Sequence, residues 1–273
     1  MSLKFRLEHD SFGELLVPFD ALYGAQTQRA MQNFRISGLP MPAEFIQAMA
    51  LIKAAVAEAN GALGHLGNAQ SGAITRAANA IAAGEFADQF PVDVFQTGSG
   101  TSTNMNLNEV IAGLVKRQTK LDIHANDHVN LGQSSNDVVP SSSLLACALM
   151  LQRTLLPALK QLRRSVAKKA RAGRGLLKTG RTHLMDAMPI TVEQELSAWS
   201  AQLESAIARL QDTGKRLQAL PLGGTAVGTG LNAKRRFGKL FARRLAEITG
   251  LPFVSAANKF EALAAHDAEV FTH

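Results

Sequence analysis

From Pro42 onward the apolar residues fall into helical step. Phe45, Met49, Ile52, Val56, Ala59, Leu63 and Leu66 are separated alternately by four and three positions, which puts them on one face of a helix. Gly64 and Gly67 supply stop signals, and a second helix is expected over about 69–83, ended by Gly84. Residues 90–104 break the pattern with Phe90-Pro91 and a run of small polar residues. A further helix is expected over about 105–118, and 121–140 read as polar and irregular. Two long stripes follow. Leu144, Ala148, Leu151, Leu155, Leu159, Leu162 and Val166 keep helical spacing over roughly 140–172, with Pro157 inside to kink or divide the run. Val192, Leu196, Trp199, Leu203, Ile207, Leu210 and Leu217 do the same over about 190–219. Thirty helical residues span about 45 Å, and stripes of that length must bury against one another.

The ends of the chain read differently. Over 1–40, Phe5 and Leu7 alternate with polar neighbours, and Gly13, Pro18, Gly24, Gly38 and Pro40 punctuate the rest; a short hairpin and turns are expected. Pro221–Leu231 is a glycine-rich loop, followed by a helix over about 233–249, ended by Gly250 and Pro252. The last helix starts near Asn258 and stays in register through Phe271 with no closing signal, so the chain is expected to be a piece of something longer. The fold class is therefore mainly α. A small helical and irregular domain over 1–138 precedes an elongated multi-helix bundle over 139–273 that is incomplete at its C-terminal end.

Composition agrees. Hydrophobic residues make up 46% of the 273, yet the aromatics are only 13 Phe, one Trp and one Tyr, which favours helices over a β-sandwich. The formal charge is +7. A solvated basic surface or attraction of an anionic small substrate fits this better than nucleic acid. The basic clusters Arg163, Arg164, Lys168, Lys169, Arg171, Arg174 and Lys234, Arg235, Arg236, Arg243, Arg244 carry no interleaved aromatics. The single cysteine, Cys147, rules out an intrachain disulfide and reads as a small core residue. The longest apolar run, 144–151, is far short of the ~18 residues of a membrane helix, and the first twenty residues hold no hydrophobic block. Neither a membrane nor export is expected, and the cytoplasm is the expected compartment.

Several familiar chemistries are absent from the sequence. Neither glycine-rich loop contains the lysine of a phosphate-binding P-loop, and G-x-G-x-x-G fails at Thr103 and at Ala233. G-x-S-x-G fails around Ser99, where Thr97 and Thr101 flank. His124 and His128 are four apart in a polar irregular stretch, which does not make a metal site.

Three polar clusters remain. Gly98–Asn104 precedes a helix, where amides, hydroxyls and the helix N-terminus suit a carboxylate or phosphate; the same residues could serve only as an elaborate N-cap. Gln133–Asp137 precedes another helix, with Asn136 able to read a carboxylate or hydroxyl, or with Asp137 or Ser141 acting as a cap. Gly180–Ala187 lies between the two longest helices and contains His183, which can exchange protons near neutral pH or be structural. All three fall at ends of long helices, where a bundle can gather loops into one composite site that needs no cofactor.

Val94–Thr101, Asn104–Val110, Gln133–Asp137, Gly180–Leu184 and Leu222–Asn232 together resemble class II fumarase, in order and over almost the whole chain, from about Gly13 to Phe271. Aspartase shares the first two clusters. His183, where aspartases carry Gln, and Asn258–Leu263 favour fumarase. An aspartase-type ammonia lyase and a non-catalytic helical assembly remain the alternatives.

The resemblance implies reversible anti addition of water to fumarate, giving (S)-malate in the tricarboxylic acid cycle, without a cofactor or metal. The proton removed lies next to a carboxylate and is very weakly acidic. Donors aimed at the doubly negative aci form are then the main device, each worth roughly 3–4 kcal/mol if comparable to an oxyanion-hole donor. It implies that Ser99, Thr101 and Asn136 hold carboxylates, that Ser134 and Ser135 line the site, and that His183 with Thr182 positions the water. It assigns His124, Asn126 and Asp127 to a secondary dicarboxylate site, although the arginine usual just before it is replaced by the Leu121-Asp122 neighbourhood. It implies a homotetramer whose active sites draw loops from three chains. Relatives continue past the equivalent of Phe271 into a Gly-Ser-Ser loop bearing the favoured catalytic base and a Met-Pro-Gly-Lys-Val-Asn-Pro segment. Neither occurs in this sequence, so a missing C-terminal domain and negligible turnover by the 273 residues alone are expected.

Overall fold

The computed structural model describes residues 4–271. They are mainly helical and form two compact units. The first takes the residues up to Ala146 together with Gln218–Glu269; the second takes Cys147–Leu217 and the residues from Val270 on. This spatial grouping cuts across the chain-order division at 138/139, because the glycine-rich loop and the helices after it return to the first unit.

In the first unit, β1 (Phe5–Asp10) and β2 (Gly13–Pro18) form the expected antiparallel hairpin, with Leu7 opposite Leu16. Helix α1 (Ala25–Asn33) follows, where only turns are expected from the sequence. Its polar sequence carries no apolar stripe. Its first turn is held instead by the Glu109 carboxylate, which accepts from the amides of Gly24, Gln26 and Thr27 at 2.9–3.0 Å.

Helix α2 (Ala43–Ala62) is the centre of the unit. The predicted stripe residues Met49, Ile52, Val56 and Ala59 are buried, and so are Ala48, Ala50, Ala54, Ala55 and Ala57 between them. A helix that is apolar nearly all round must be enclosed by others. Helix α3 (Asn68–Ala82) packs closely along it: a Cβ on Gly61 would come within 2.7 Å of Ser71 Oγ, and that hydroxyl donates to Ala57 O at 2.8 Å. Each large aliphatic side chain buried here contributes about 1.5–3 kcal/mol.

Helix α4 (Thr101–Gln118) starts four residues before its predicted onset, and α5 (Ser135–Met150) starts five before. The latter runs through Pro140, tolerated one turn in because only the Asn136 carbonyl loses an intrahelical partner. Beyond residue 218, β5 (Ala219–Leu220) pairs in parallel with β6 (Val254–Ser255). Helix α8 (Phe237–Thr249) begins later than the expected 233, since Asn232 and Arg236 take left-handed turn conformations. It buries Phe237, Phe241 and Leu245 and ends at Gly250, as expected. The single terminal helix expected from Asn258 is two, α9 (Lys259–Ala264) and α10 (Asp267–Phe271). Ala265 turns extended (φ −86°, ψ 122°) between them.

In the second unit, a π-helical turn over Leu151–Leu155 precedes α6 (Leu156–Ala172). The widened turn accommodates Pro157, so the run is neither broken nor divided. Strands β3 (Leu177–Thr182) and β4 (Met185–Thr191) form an antiparallel hairpin, a feature the helical pattern does not predict. Helix α7 (Val192–Arg216) is opened by a capping box in which Thr191 and Gln194 satisfy each other's amides. Gly173 lies against Val192 at one end, Gly214 lies against Leu151 at the other, and Arg163 pairs with Glu204 at 2.9 Å between, so α6 and α7 run antiparallel.

Counting contiguous apolar residues predicts no membrane-length helix, but Ser135–Ala172 is one helical run of 38 residues with a window of mean hydropathy 1.4. By length and composition it could cross a membrane. Of that window 39% is buried inside the protein, including Val138, Leu144 and Leu145, and the hydroxyls of Ser141 and Ser142 donate to carbonyls four residues back.

Candidate active site

The site begins at the N-terminus of α4. Gly100 caps it in a left-handed conformation (φ 67°), and a Cβ there would come within 2.9 Å of the Val139 side chain on α5. The two helix starts are therefore in contact. The first-turn amides of α4 are not satisfied by Ser99 or Thr101. Gln96 Oε1 accepts from Thr103 N at 2.8 Å, and Thr97 Oγ1 accepts from Ser102 N at 3.4 Å. Ser99 and Thr101 bond each other instead, hydroxyl to hydroxyl at 2.8 Å. Of the two readings open for this cluster, the capping work falls to Gln96 and Thr97, leaving the Ser99–Thr101 pair at a positive helix end.

The second cluster divides its labour. Ser134 and Asp137 form a capping box on α5: Ser134 Oγ accepts from Asn136 N at 3.2 Å, and Asp137 Oδ1 accepts from Ser134 N at 2.9 Å. Ser135 Oγ accepts from Asn104 Nδ2 at 2.9 Å, which ties the loop to α4. Asn136 is exposed and donates from Nδ2 to Ala226 O at 2.9 Å, reaching the glycine-rich loop. Ser99, Thr101, Ser134, Ser135 and Asn136 thus all belong to one corner of the first unit.

Beneath that corner lie buried charges, of which Lys53 was singled out by neither the hydrophobic pattern nor the motifs. Lys53 on α2 is fully buried and donates to Asn130 Oδ1 at 3.1 Å and Gln133 Oε1 at 2.9 Å. Asn130 Oδ1 also receives Asn104 Nδ2 and Asn108 Nδ2, both at 3.2 Å. Burial pulls the Lys53 ammonium down to about 7, against the attraction of Asp137. Burial likewise pushes the Asp137 carboxyl up to about 6, although the amides of Ser134, Thr225 and Gly223 and the Lys53 charge favour its ionised form. The neighbours of Lys53 one helical turn away, Met49, Ala50, Val56 and Ala57, are all apolar, and that is the sequence signal that could have found it. Lys259, half-buried, donates to the carbonyls of Leu220 and Leu222 at 2.7 and 2.9 Å, and burial lowers it to about 8.

Thr182 and His183 stand in the second unit, at the exposed tip of the β3–β4 hairpin. His183 and Leu184 both take left-handed conformations (φ 52° and 62°), the geometry of a two-residue hairpin turn. Arg181 and Asp186 pair across its base at 3.0 Å.

Back in the first unit, His124 caps a π-helical turn, Ala125–Val129, that carries Asn126 and Asp127, and all three are exposed. His124 Nδ1 is 3.3 Å from Asp127 Oδ2, and His128 Nδ1 accepts from His124 N at 2.8 Å. His124 and Asn126 line a groove of about 810 Å³ of mixed charge, with Arg6, Lys116 and Arg117 facing it alongside Glu8, Asp10, Asp20 and Glu109. Among the described residues, no group of three or more His, Cys, Asp or Glu side chains could hold a metal ion.

Known proteins resemble this chain in sequence and in fold. A class II fumarate hydratase of Xylella fastidiosa is 58% identical over 264 residues, covering 97% of this chain and 56% of its own length. One of Thermus aquaticus is 51% identical over 272 residues, covering 97% of this chain and 58% of its own. The chain therefore spans a little over half the length of these relatives. The crystal structure of class II fumarase from Schistosoma mansoni superposes with a TM-score of 0.95 at 37% identity, covering 98% of this chain and 61% of that one. The fumarate lyase:delta crystallin structure from Brucella melitensis gives 0.92 at 38% identity, covering 97% of this chain and 59% of that one. The family described as Lyase matches residues 13–273, nearly the whole chain, and the chain belongs to that family.

Proposed function

We propose that this chain carries the substrate-binding loops of a cytoplasmic fumarate hydratase, which adds water reversibly across fumarate to give (S)-malate. The observation that carries the reading is the Ser99–Thr101 hydroxyl pair, unspent on capping and set where α4 and α5 start side by side. Two helix N-termini and short hydroxyl donors suit a dicarboxylate. In this reading Ser99, Thr101 and Asn136 hold carboxylates, Ser134 and Ser135 shape the wall, and His183 with Thr182 positions the water. His124, Asn126 and Asp127 form a secondary dicarboxylate site beside that groove. Residues 1–138 are the N-terminal lyase domain of the whole protein and 139–273 belong to its bundle domain.

We propose a homotetramer for the same protein. On the second unit, Leu155, Leu162 and Trp199 leave apolar surface exposed along α6 and α7, with Leu162 and Trp199 about half exposed. Packing between copies would cover that surface.

Two measurements test this. Fumarate added to the 273-residue chain is expected to shift the amide resonances of Ser99, Thr101 and Asn136, while hydration followed by ultraviolet absorbance stays negligible. Absence of any shift overturns the binding assignment. Turnover near that of a full-length relative, abolished by His183→Asn, overturns the expected inactivity. Trp199→Glu is expected to lower the sedimenting mass; no change in mass counts against the interface.

A further inference from the structure

An asparagine that binds a ligand must present the right end of its amide, since one end accepts and the other donates. Asn136 has one Nδ2 proton committed to Ala226 O at 2.9 Å, and this bond sets which way the amide points. Ala226 is in turn placed by the backbone just before it. Leu222 N donates to Ser141 Oγ at 3.1 Å, and Gly223 N and Thr225 N donate to Asp137 Oδ2 at 2.9 and 2.8 Å. Lys259 holds the carbonyls of Leu220 and Leu222 from the other side. Thr225 sits at φ 57°, a left-handed conformation that is unusual for a β-branched residue and needs outside support.

A helix cap would use one carboxylate oxygen. Asp137 spends Oδ1 on the cap, through Ser134 N, and gives Oδ2 wholly to the second loop. We infer that Asp137 is a positioning residue: by pinning Gly223 and Thr225 it keeps the Ala226 carbonyl on Asn136 and so orients the Asn136 amide toward a substrate carboxylate. This rests on the reading of Asn136 as a dicarboxylate ligand. Asp137 acts entirely through the two loops.

Amide NMR of the 273-residue chain, with and without fumarate, tests it. Asp137→Asn is expected to move the Gly223 and Thr225 amides and the Asn136 side-chain amide, while the α3 resonances stay in place. Fumarate affinity should fall about tenfold, the scale of one lost hydrogen-bonded orientation. Adding Thr225→Gly, which accepts the left-handed conformation without strain, should recover part of that loss. Should Asp137→Asn fail to fold, Ser141→Ala leaves the Asp137 carboxylate in place, removes the Leu222 anchor and the hydroxyl's bond to the Asp137 carbonyl, and should give an Asn136 shift in the same direction with a two- to threefold loss, on the order of one weaker hydrogen bond. An Asn136 side-chain resonance that stays put in the variants, or that moves with affinity unchanged, overturns the inference. If fumarate shifts nothing in the unmodified chain, the functional reading fails instead, and the ligand-free Asn136 resonance alone decides whether Asp137 positions it.

Discussion

The two units hold their chemistry in opposite ways. In the first, the candidate binding residues sit on loops tied down from below: Lys53 grips the Asn130 and Gln133 side chains, and Asp137 joins the backbones of the 134 and 223–225 segments. In the second, Thr182 and His183 project from the tip of an exposed hairpin. Binding loops are preorganised when their supports are buried and hydrogen-bonded. A hairpin tip carries fewer such supports, so its geometry rests on its own turn. The contrast teaches that the two sets of candidate residues should respond to different kinds of damage.

The largest expected effect separates the cores. Leu145 on α5 is fully buried in the first unit, and Leu145→Ala should cost about 2–5 kcal/mol by thermal or denaturant melting. Leu162 on α6 is 51% exposed, and Leu162→Ala should cost under about 1 kcal/mol in the isolated chain. Equal losses would mean that the second unit is covered in solution, as the proposed tetramer requires.

A second effect probes the buried lysine. Lys53 titrates near 7 in the fold against 10.5 when free, so the unfolded chain binds the extra proton between those values. Stability from this group therefore rises as pH goes from about 7 to 10 and is flat below 7. The melting temperature of the unmodified chain minus that of Lys53→Met should climb by several degrees over that range, on the scale of a few kcal/mol. A difference that stays level with pH would mean that Lys53 keeps its ordinary proton affinity, and the buried network would need another description.

What was legible in the sequence follows from how local each cause is. Helices α2, α3 and α7 could be read because their burial follows a short period, and the Thr191–Gln194 box lies within one turn. Helix α1 could not, because its start is capped by Glu109, more than 80 positions away. Pro140 hid the true start of α5, and the strands on either side of His183 gave no alternating pattern. The motif residues of the site were legible by resemblance, but the role of Asp137 was not. Its partners Gly223 and Thr225 are 86 and 88 residues downstream, and only the fold brings them together.

The smallest expected effect is the sharpest test of the hairpin. A two-residue turn with both residues left-handed is best served by Asn-Gly, and this chain has His183-Leu184. Leu184 is 97% exposed, so no burial repays its conformation. Left-handed backbone costs an ordinary residue roughly 1 kcal/mol, and glycine gives part of that back through its freedom when unfolded. Leu184→Gly should therefore stabilise the hairpin by about 0.5 kcal/mol, read as slower amide exchange in 177–191. His183→Asn should act in the same direction, since Asn tolerates this region. If His183 were there for the turn alone, these substitutions would be improvements at no loss. The strain is instead what a residue kept for its imidazole would carry, so His183→Asn should steady the hairpin while removing the imidazole from the water-positioning role proposed for it. A hairpin that loosens in both variants would show that His183 and Leu184 hold the turn through contacts of their own, and the case for a strained functional tip would end there.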